Sequence, residues 1–208
     1  MFGLSKKELT VLKKLSTPEK IQDFLDRLPI NHEKNGDTCL SPRQVLREKK
    51  AHCIEGAMLA ATALWLHGEE PLLLDLTTLR YDDDHVVALY KRNGYWGAIS
   101  KTNHSVLRFR DPIYRTIREL ALSYFHEYFM ITTGRKTLQS YSVPISLKRF
   151  GMEWITSSED VWYIAHALDD VRHFPIVPKK NKRLIRKASP LERKMGSIAE
   201  WKKGNPRT

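Results

Sequence analysis

A nearly uncharged apolar segment is the feature that most constrains how this chain folds. Between residues 53 and 66 the one charged side chain is Glu55. The apolar residues recur at helical spacing, at Ile54, Ala57, Met58, Ala61, Leu64 and Trp65. A helix that is apolar on most sides has to be buried, so the segment predicts a central core helix. Cys53 occupies its first turn, where free N–H groups and the helix dipole favour a thiolate.

Cys53 has two interpretations. Free cysteine is commonly a small buried apolar residue with no chemical role. A nucleophilic cysteine instead needs a base, which is most often a histidine that the fold brings close to it. The choice between these interpretations therefore depends on the histidines of the chain.

A β-hairpin that begins with a histidine is predicted for residues 85–100. Two apolar runs flank Asn93-Gly94, which is the strongest short-range signal for a hairpin. If the loop has four residues, His85 lies opposite Ser100. If the loop is Asn93-Gly94 alone, Ser100 is the diagonal neighbour of His85 on the same face. Both registers place Ser100 beside His85.

The order of these features resembles the transglutaminase-like superfamily of putative cysteine proteases. The family's basic residues, small residue and cysteine before an alanine-rich helix are similar to residues 45–60, and its histidine-headed hairpin is similar to residues 85–100. The resemblance covers residues 40–103. It implies an α+β, papain-like fold in which a central Cys-bearing helix packs on an antiparallel sheet after a helical lead-in.

The same resemblance implies a role for each of three residues. Cys53 would be the nucleophile, His85 the general base and then acid, and Ser100 the residue that orients the imidazole. The family usually has Asp at this last position, and Ser100 can accept a hydrogen bond but brings no negative charge. Asn103 replaces Ser100 as the orienting residue if the strand ends early. Gln44 is a candidate oxyanion donor, but as the fourth residue of a capping box it is predicted to cap a helix.

The reaction that these residues imply is thiol-dependent acyl transfer or hydrolysis of an amide or peptide, as in a cysteine peptidase or amidase. The alternative is a catalytically inactive binding module of the same fold. No cofactor and no metal are predicted, since Asp82, Asp83 and Asp84 lack the spacing and glycine of a calcium loop. His52 adjoins Cys53, but neighbours at i and i+1 on a helix do not face each other, so His52 is predicted to be solvated.

The positive charge of the chain is concentrated near its C-terminus. Residues 179–208 hold 11 of the 35 Lys and Arg residues and 2 of the 24 Asp and Glu residues. The sequence therefore predicts a nearly neutral domain over residues 1–178 and a basic, disordered tail over residues 179–208. Such a tail could contact nucleic acid or an anionic surface.

Membrane insertion is not predicted, because the longest uncharged apolar run, residues 57–66, is too short to span a bilayer. The N-terminal residues show no apolar signal segment. Two cysteines are too few for a disulfide framework and are typical of a reducing compartment. A cytoplasmic location is therefore expected.

Overall fold

The computed structural model describes residues 2–34 and 36–201. Its α-helices are α1 (Lys6–Lys14), α2 (Pro18–Arg27), α3 (Pro42–Glu48), α4 (Cys53–Leu66), α5 (Ile117–Phe125), α6 (Trp162–Asp170) and α7 (Pro190–Gly196). Its strands are β1 (Leu72–Thr77), β2 (His85–Arg92), β3 (Tyr95–Ser100), β4 (Arg110–Tyr114), β5 (Ser140–Ser142), β6 (Ile145–Ser146) and β7 (His173–Pro175). Short 3-10 helices cover Leu147–Phe150, Glu153–Ile155 and Lys179–Leu184. The protein is thus α+β, as the sequence predicts.

The strands form one sheet in the order β4-β3-β2-β1-β5-β7, with β6 also paired to β1, and every pairing is antiparallel. Side chains of a strand alternate between its two faces. On β2, Val86 and Ala88 pack in the core that contains α4, whereas Val87 and Leu89 pack in the core that contains α5. The sheet therefore separates two hydrophobic cores, and the Cys-bearing helix α4 belongs to the first.

The β2–β3 hairpin has the shorter of the two predicted loops. Arg92 pairs with Tyr95 and Val87 pairs with Ser100, which leaves Asn93 and Gly94 as the turn. Both turn residues have positive φ, 50° and 88° respectively, as a type I′ turn requires. Ser100 is therefore the diagonal neighbour of the first residue of β2.

The end of β3 is tied to two helices by a buried lysine. Lys101 is 1% exposed, and its Nζ donates hydrogen bonds to the carbonyl oxygens of Leu25, at 3.0 Å, and Leu28, at 2.5 Å, where α2 ends. Its aliphatic stem crosses α4 at Gly56, where an added Cβ would lie 2.5 Å from the Lys101 Cβ. Glycine is needed here because the strand residue approaches the helix too closely for a side chain. The contact fixes α4 relative to the hairpin.

Residues 179–201 of the predicted tail are hydrogen-bonded to the rest of the chain, so the predicted disorder is wrong for this part, while the boundary at residue 178 stays a prediction. The side-chain amide of Asn103 donates to the Trp201 carbonyl at 2.9 Å and accepts from the Trp201 backbone N–H at 2.8 Å. The backbone N–H of Ser105 donates to Ile198 at 3.0 Å. These bonds join positions about a hundred residues apart, so composition alone does not indicate them. Residues 202–208 of the predicted tail lie outside the described residues.

Within residues 2–34 and 36–201, no helix combines the length and the apolar character that crossing a membrane would require.

Candidate active site

Cys53 is the first residue of α4, and its side chain is partly exposed. Its Sγ lies 4.0 Å from Nδ1 of His52 and 3.9 Å from the backbone oxygen of Asp84. The first-turn N–H groups of a helix have no partner within the helix, and the helix dipole is positive at this end. The position therefore favours a negatively charged sulfur.

His85 begins β2 and is 5% exposed, and its Nε2 lies 2.7 Å from the hydroxyl oxygen of Ser100. Ser100 Oγ donates its own proton to the carbonyl oxygen of Leu107 at 2.5 Å. A serine hydroxyl has a single proton, so Ser100 has to accept the hydrogen bond from His85. Nε2 of His85 therefore carries a proton, and Nδ1 is the nitrogen that can exchange one with a reacting group.

The thiol of Cys53 has a strongly lowered pKa. Burial alone would raise it, but the neighbouring imidazoles of His52 and His85 outweigh burial and lower the pKa to about 5. The sulfur of Cys53 lies 3.9 Å from the backbone oxygen of Asp84, the residue before His85, and His85 contacts Ser100, so the three predicted residues lie near one another. Their catalytic roles stay a prediction.

His52 is part of this site, and the prediction that it is solvated is wrong. It is the N-cap of α4, with φ −99° and ψ −169°, so its backbone is extended and the rule for neighbours within a helix does not apply. Its Nε2 lies 2.8 Å from the carbonyl oxygen of Thr38 and 3.2 Å from Oε1 of Glu55. Burial disfavours the charged imidazole, but hydrogen bonds to Cys53 and Glu55 raise the pKa of His52 to about 11.

Glu55 is fully buried and ion-paired with His52. Its carboxylate accepts hydrogen bonds from Thr38 Oγ1 at 2.8 Å, from Leu40 N at 3.0 Å and from His52 N at 2.8 Å, and Asn31 Nδ2 lies 3.2 Å from both oxygens. Burial would raise the pKa of the carboxyl, but the bonds and charge of His52, together with the backbone donors, lower it. A sequence signal existed, since Glu55 stands three residues after His52, at the spacing of a capping box.

The effect of a charged His52 on the pKa of Cys53 follows from the distance of 4.0 Å between Nδ1 and Sγ. A full positive charge at about 4 Å attracts a thiolate by about 4 kcal/mol at an effective dielectric constant of about 20. That energy corresponds to roughly three pKa units. The attraction of the His52 cation therefore opposes the effect of burial by an energy of this size, and His85 adds to it.

The remaining candidates are engaged elsewhere. Gln44 caps α3 by accepting from the backbone N–H of Ser41 at 2.8 Å, as predicted, and its Nε2 donates to Ser158 at 2.9 Å. Asn103 binds Trp201, so it does not replace Ser100 beside His85. Burial, followed by the charges of Glu55 and Asp160, raises the pKa of the second cysteine, Cys39, to about 12. Cys39 is therefore a core thiol, in contrast to Cys53.

The aspartate loop forms part of the surroundings of the site. Asp84 Oδ1 accepts from the backbone N–H of Thr78 at 2.6 Å, and the carbonyl oxygen of Asp83 accepts from the Tyr128 hydroxyl at 2.5 Å. In the described ranges, no three His, Cys, Asp or Glu side chains are placed to hold a metal ion. The loop is thus a hydrogen-bonded turn that brings the Asp84 carbonyl to the thiol.

The fold and the site together define an α+β protein with a cysteine of lowered pKa and two imidazoles at the N-terminus of a buried helix. A scan against models of known protein families finds no match, and a search of curated proteins finds no significant match either.

Proposed function

We propose that this protein is a thiol-dependent hydrolase or acyltransferase of the papain-like, transglutaminase-like type, with an amide or peptide as its substrate. The observation that supports this most strongly is the hydrogen-bond relay from His85 through Ser100 to Leu107. This relay fixes the imidazole tautomer and leaves the other ring nitrogen for the proton transfer that acyl-transfer chemistry needs.

The reaction follows from the protonation states. The Cys53 thiolate attacks the carbonyl carbon of the amide, and the C=O pair of electrons moves onto oxygen to form an oxyanion. The backbone N–H of Cys53, in the first turn of α4, is a donor for that oxyanion. His85 then gives its proton to the leaving nitrogen, the C–N bond breaks, and a thioester with Cys53 remains.

The second half of the reaction releases the acyl group. Neutral His85 takes a proton from water or from an acceptor amine as that nucleophile attacks the thioester carbonyl. The C–S bond breaks, and the thiolate leaves with its charge stabilised by the neighbouring imidazoles. Water gives a carboxylic acid and an amine gives a new amide.

Covalent trapping of the thioester tests this proposal. The protein is mixed with a set of short peptide amides and activated peptide esters, quenched in acid, and measured by intact-protein mass spectrometry. We expect an added acyl mass on Cys53 that Cys53→Ala abolishes and Cys39→Ser retains. Absence of acylation on the wild-type protein, or equal acylation of the Cys53→Ala variant, would contradict the proposal.

A second candidate function, an anion-binding module, is favoured by a cavity beside the C-terminal segment. The cavity has a volume of about 520 Å³. The charged residues among its described lining are all cations: Arg135, Lys136, Lys182 and Lys187. Leu79, Phe125, Leu138, Val177 and Ile185 provide its apolar lining. Positive side chains beside an apolar lining can bind a phosphate group and the ring attached to it, as in a nucleic-acid strand.

Fluorescence anisotropy with a labelled single-stranded oligonucleotide tests this second function. We expect binding that weakens between about 50 and about 200 mM salt and that Lys182→Gln with Lys187→Gln reduces. Lys13→Gln with Lys14→Gln on α1 is the matched control and should bind as the wild type does. Equal binding by both double variants would rule the cavity out as the site.

A further inference from the structure

The site contains two imidazoles with different partners. Behind His85 lies the Ser100 hydroxyl, which orients the ring but adds no charge. Behind His52 lies the carboxylate of Glu55, at 3.2 Å from Nε2. In a Cys-His-Asp triad the carboxylate contacts the histidine that acts as the base. Here the carboxylate contacts His52 and not His85.

The surroundings of His52 fix where its protons are. Its Nε2 faces two acceptors, the Thr38 carbonyl at 2.8 Å and Glu55 Oε1 at 3.2 Å, so this nitrogen carries a proton. Glu55 is 0% exposed, and a buried carboxylate requires a cationic partner. His52 is the cation in hydrogen-bonding distance of it, with its own ring largely enclosed.

The other nitrogen of His52 faces the sulfur. Nδ1 lies 4.0 Å from Cys53 Sγ, which is long for a proton transfer but short for attraction between charges. Because Glu55 holds the ring in its charged form, His52 is poorly suited to give up a proton during a catalytic cycle. His85, whose partner is a neutral hydroxyl, has no such constraint.

We propose that the two imidazoles divide the work: His52, held by the positioning residue Glu55, is a fixed cation that keeps Cys53 as a thiolate, and His85 carries the proton to the leaving group. The division rests on the proposed acyl-transfer function. It predicts that a change at His52 removes the charge on the Cys53 sulfur, whereas a change at His85 removes the proton transfer.

Other groups around the thiol and His52 are accounted for. Glu33 Oε1 lies 3.6 Å from His52 Nε2 and reinforces the cation. The contact from Asp84 is made by its backbone oxygen, 3.9 Å from the sulfur. Burial raises the pKa of Tyr128 well above its usual value and that of Cys39 to about 12, so both are neutral in the range of the test. The titration of Cys53 therefore reports mainly on His52 and His85.

The test measures the rate of alkylation of Cys53 by iodoacetamide against pH, on the full chain in a Cys39→Ser background. The variants are His52→Gln, Glu55→Gln and His85→Gln, each checked for folding by circular dichroism. We expect His52→Gln and Glu55→Gln to move the midpoint upward by at least one pH unit. We expect His85→Gln to move it less and yet to abolish acylation by peptide amides.

An unchanged midpoint in His52→Gln, with a shift of several pH units in His85→Gln, would overturn the division of work. Should Glu55→Gln fail to fold, or His52→Gln fail because it leaves the buried carboxylate without its cation, the double variant His52→Gln with Glu55→Gln decides, since it removes both charges together. Failure of the proposed function looks different. In that case the midpoints shift as expected, but the wild-type protein is not acylated by any amide.

Discussion

Ser100 allows a sharp test of how His85 is held. Ser100→Ala removes the hydroxyl that accepts from His85 Nε2 at 2.7 Å and donates to Leu107 O at 2.5 Å. Both partners lie in the interior, and leaving a buried polar group unsatisfied costs about 1 to 3 kcal/mol. We therefore expect a loss of about 3 kcal/mol in the free energy of unfolding. For a chain of this length that is roughly 6 to 12 °C in Tm.

Differential scanning calorimetry measures the shift, and Ser105→Ala is the matched control. The Ser105 hydroxyl donates to Met195 O at 2.6 Å in an exposed position, so water can replace it and Tm should change little. Ser100→Asp is the informative second variant. It would set a carboxylate oxygen against the Leu107 carbonyl, so we expect it to lower the reactivity of Cys53. A Ser100→Ala protein that melts like the wild type, or a more reactive Ser100→Asp protein, would refute the relay.

Gly56→Ala should lower the free energy of unfolding by about 1 to 3 kcal/mol in urea titrations, because the new Cβ collides with the Lys101 stem, and an unchanged midpoint would contradict that contact. Burial raises the pKa of Asp75 to about 6 against the opposing hydrogen bond from His173. An aspartate with a raised pKa in the folded state destabilises the protein above pH 6, and the penalty disappears below about pH 4. Asp75→Asn should therefore reduce the loss of stability between about pH 4 and about pH 6. An unchanged pH dependence of the free energy of unfolding would contradict the raised pKa of Asp75. A chain ending at Pro178 should melt at lower temperature than the full chain, and equal melting would show that the C-terminal contacts contribute no stability.

Local sequence signals predicted much of the fold. The buried helix α4 and the Asn93-Gly94 turn depend on periodicity and turn chemistry within a few residues. The capping box that begins α3, between Ser41 and Gln44, is local in the same sense. Because the hairpin register follows from its turn, the contact between His85 and Ser100 could be predicted as well.

Two features could not be predicted from local patterns. The His52 side chain leaves the helix because its backbone is extended, and its partner Thr38 comes from the loop before α3. The C-terminal segment is held by Asn103, about a hundred residues earlier in the chain, although its own composition is that of a disordered tail. The contact between His52 and Thr38 spans 14 residues and the contact between Asn103 and Trp201 spans 98, so neither is part of a local pattern.

The pH dependence of Cys53 alkylation in the Cys39→Ser protein tests the central claim most directly. With its pKa lowered to about 5 by His52 and His85 against the effect of burial, Cys53 should react at a rate that rises to a plateau by about pH 6 and stays level to about pH 9. A rate that is low at pH 6 and rises with a midpoint near the ordinary thiol pKa of about 8.5 would show that Cys53 is not a thiolate at neutral pH. That result would contradict its role as the nucleophile.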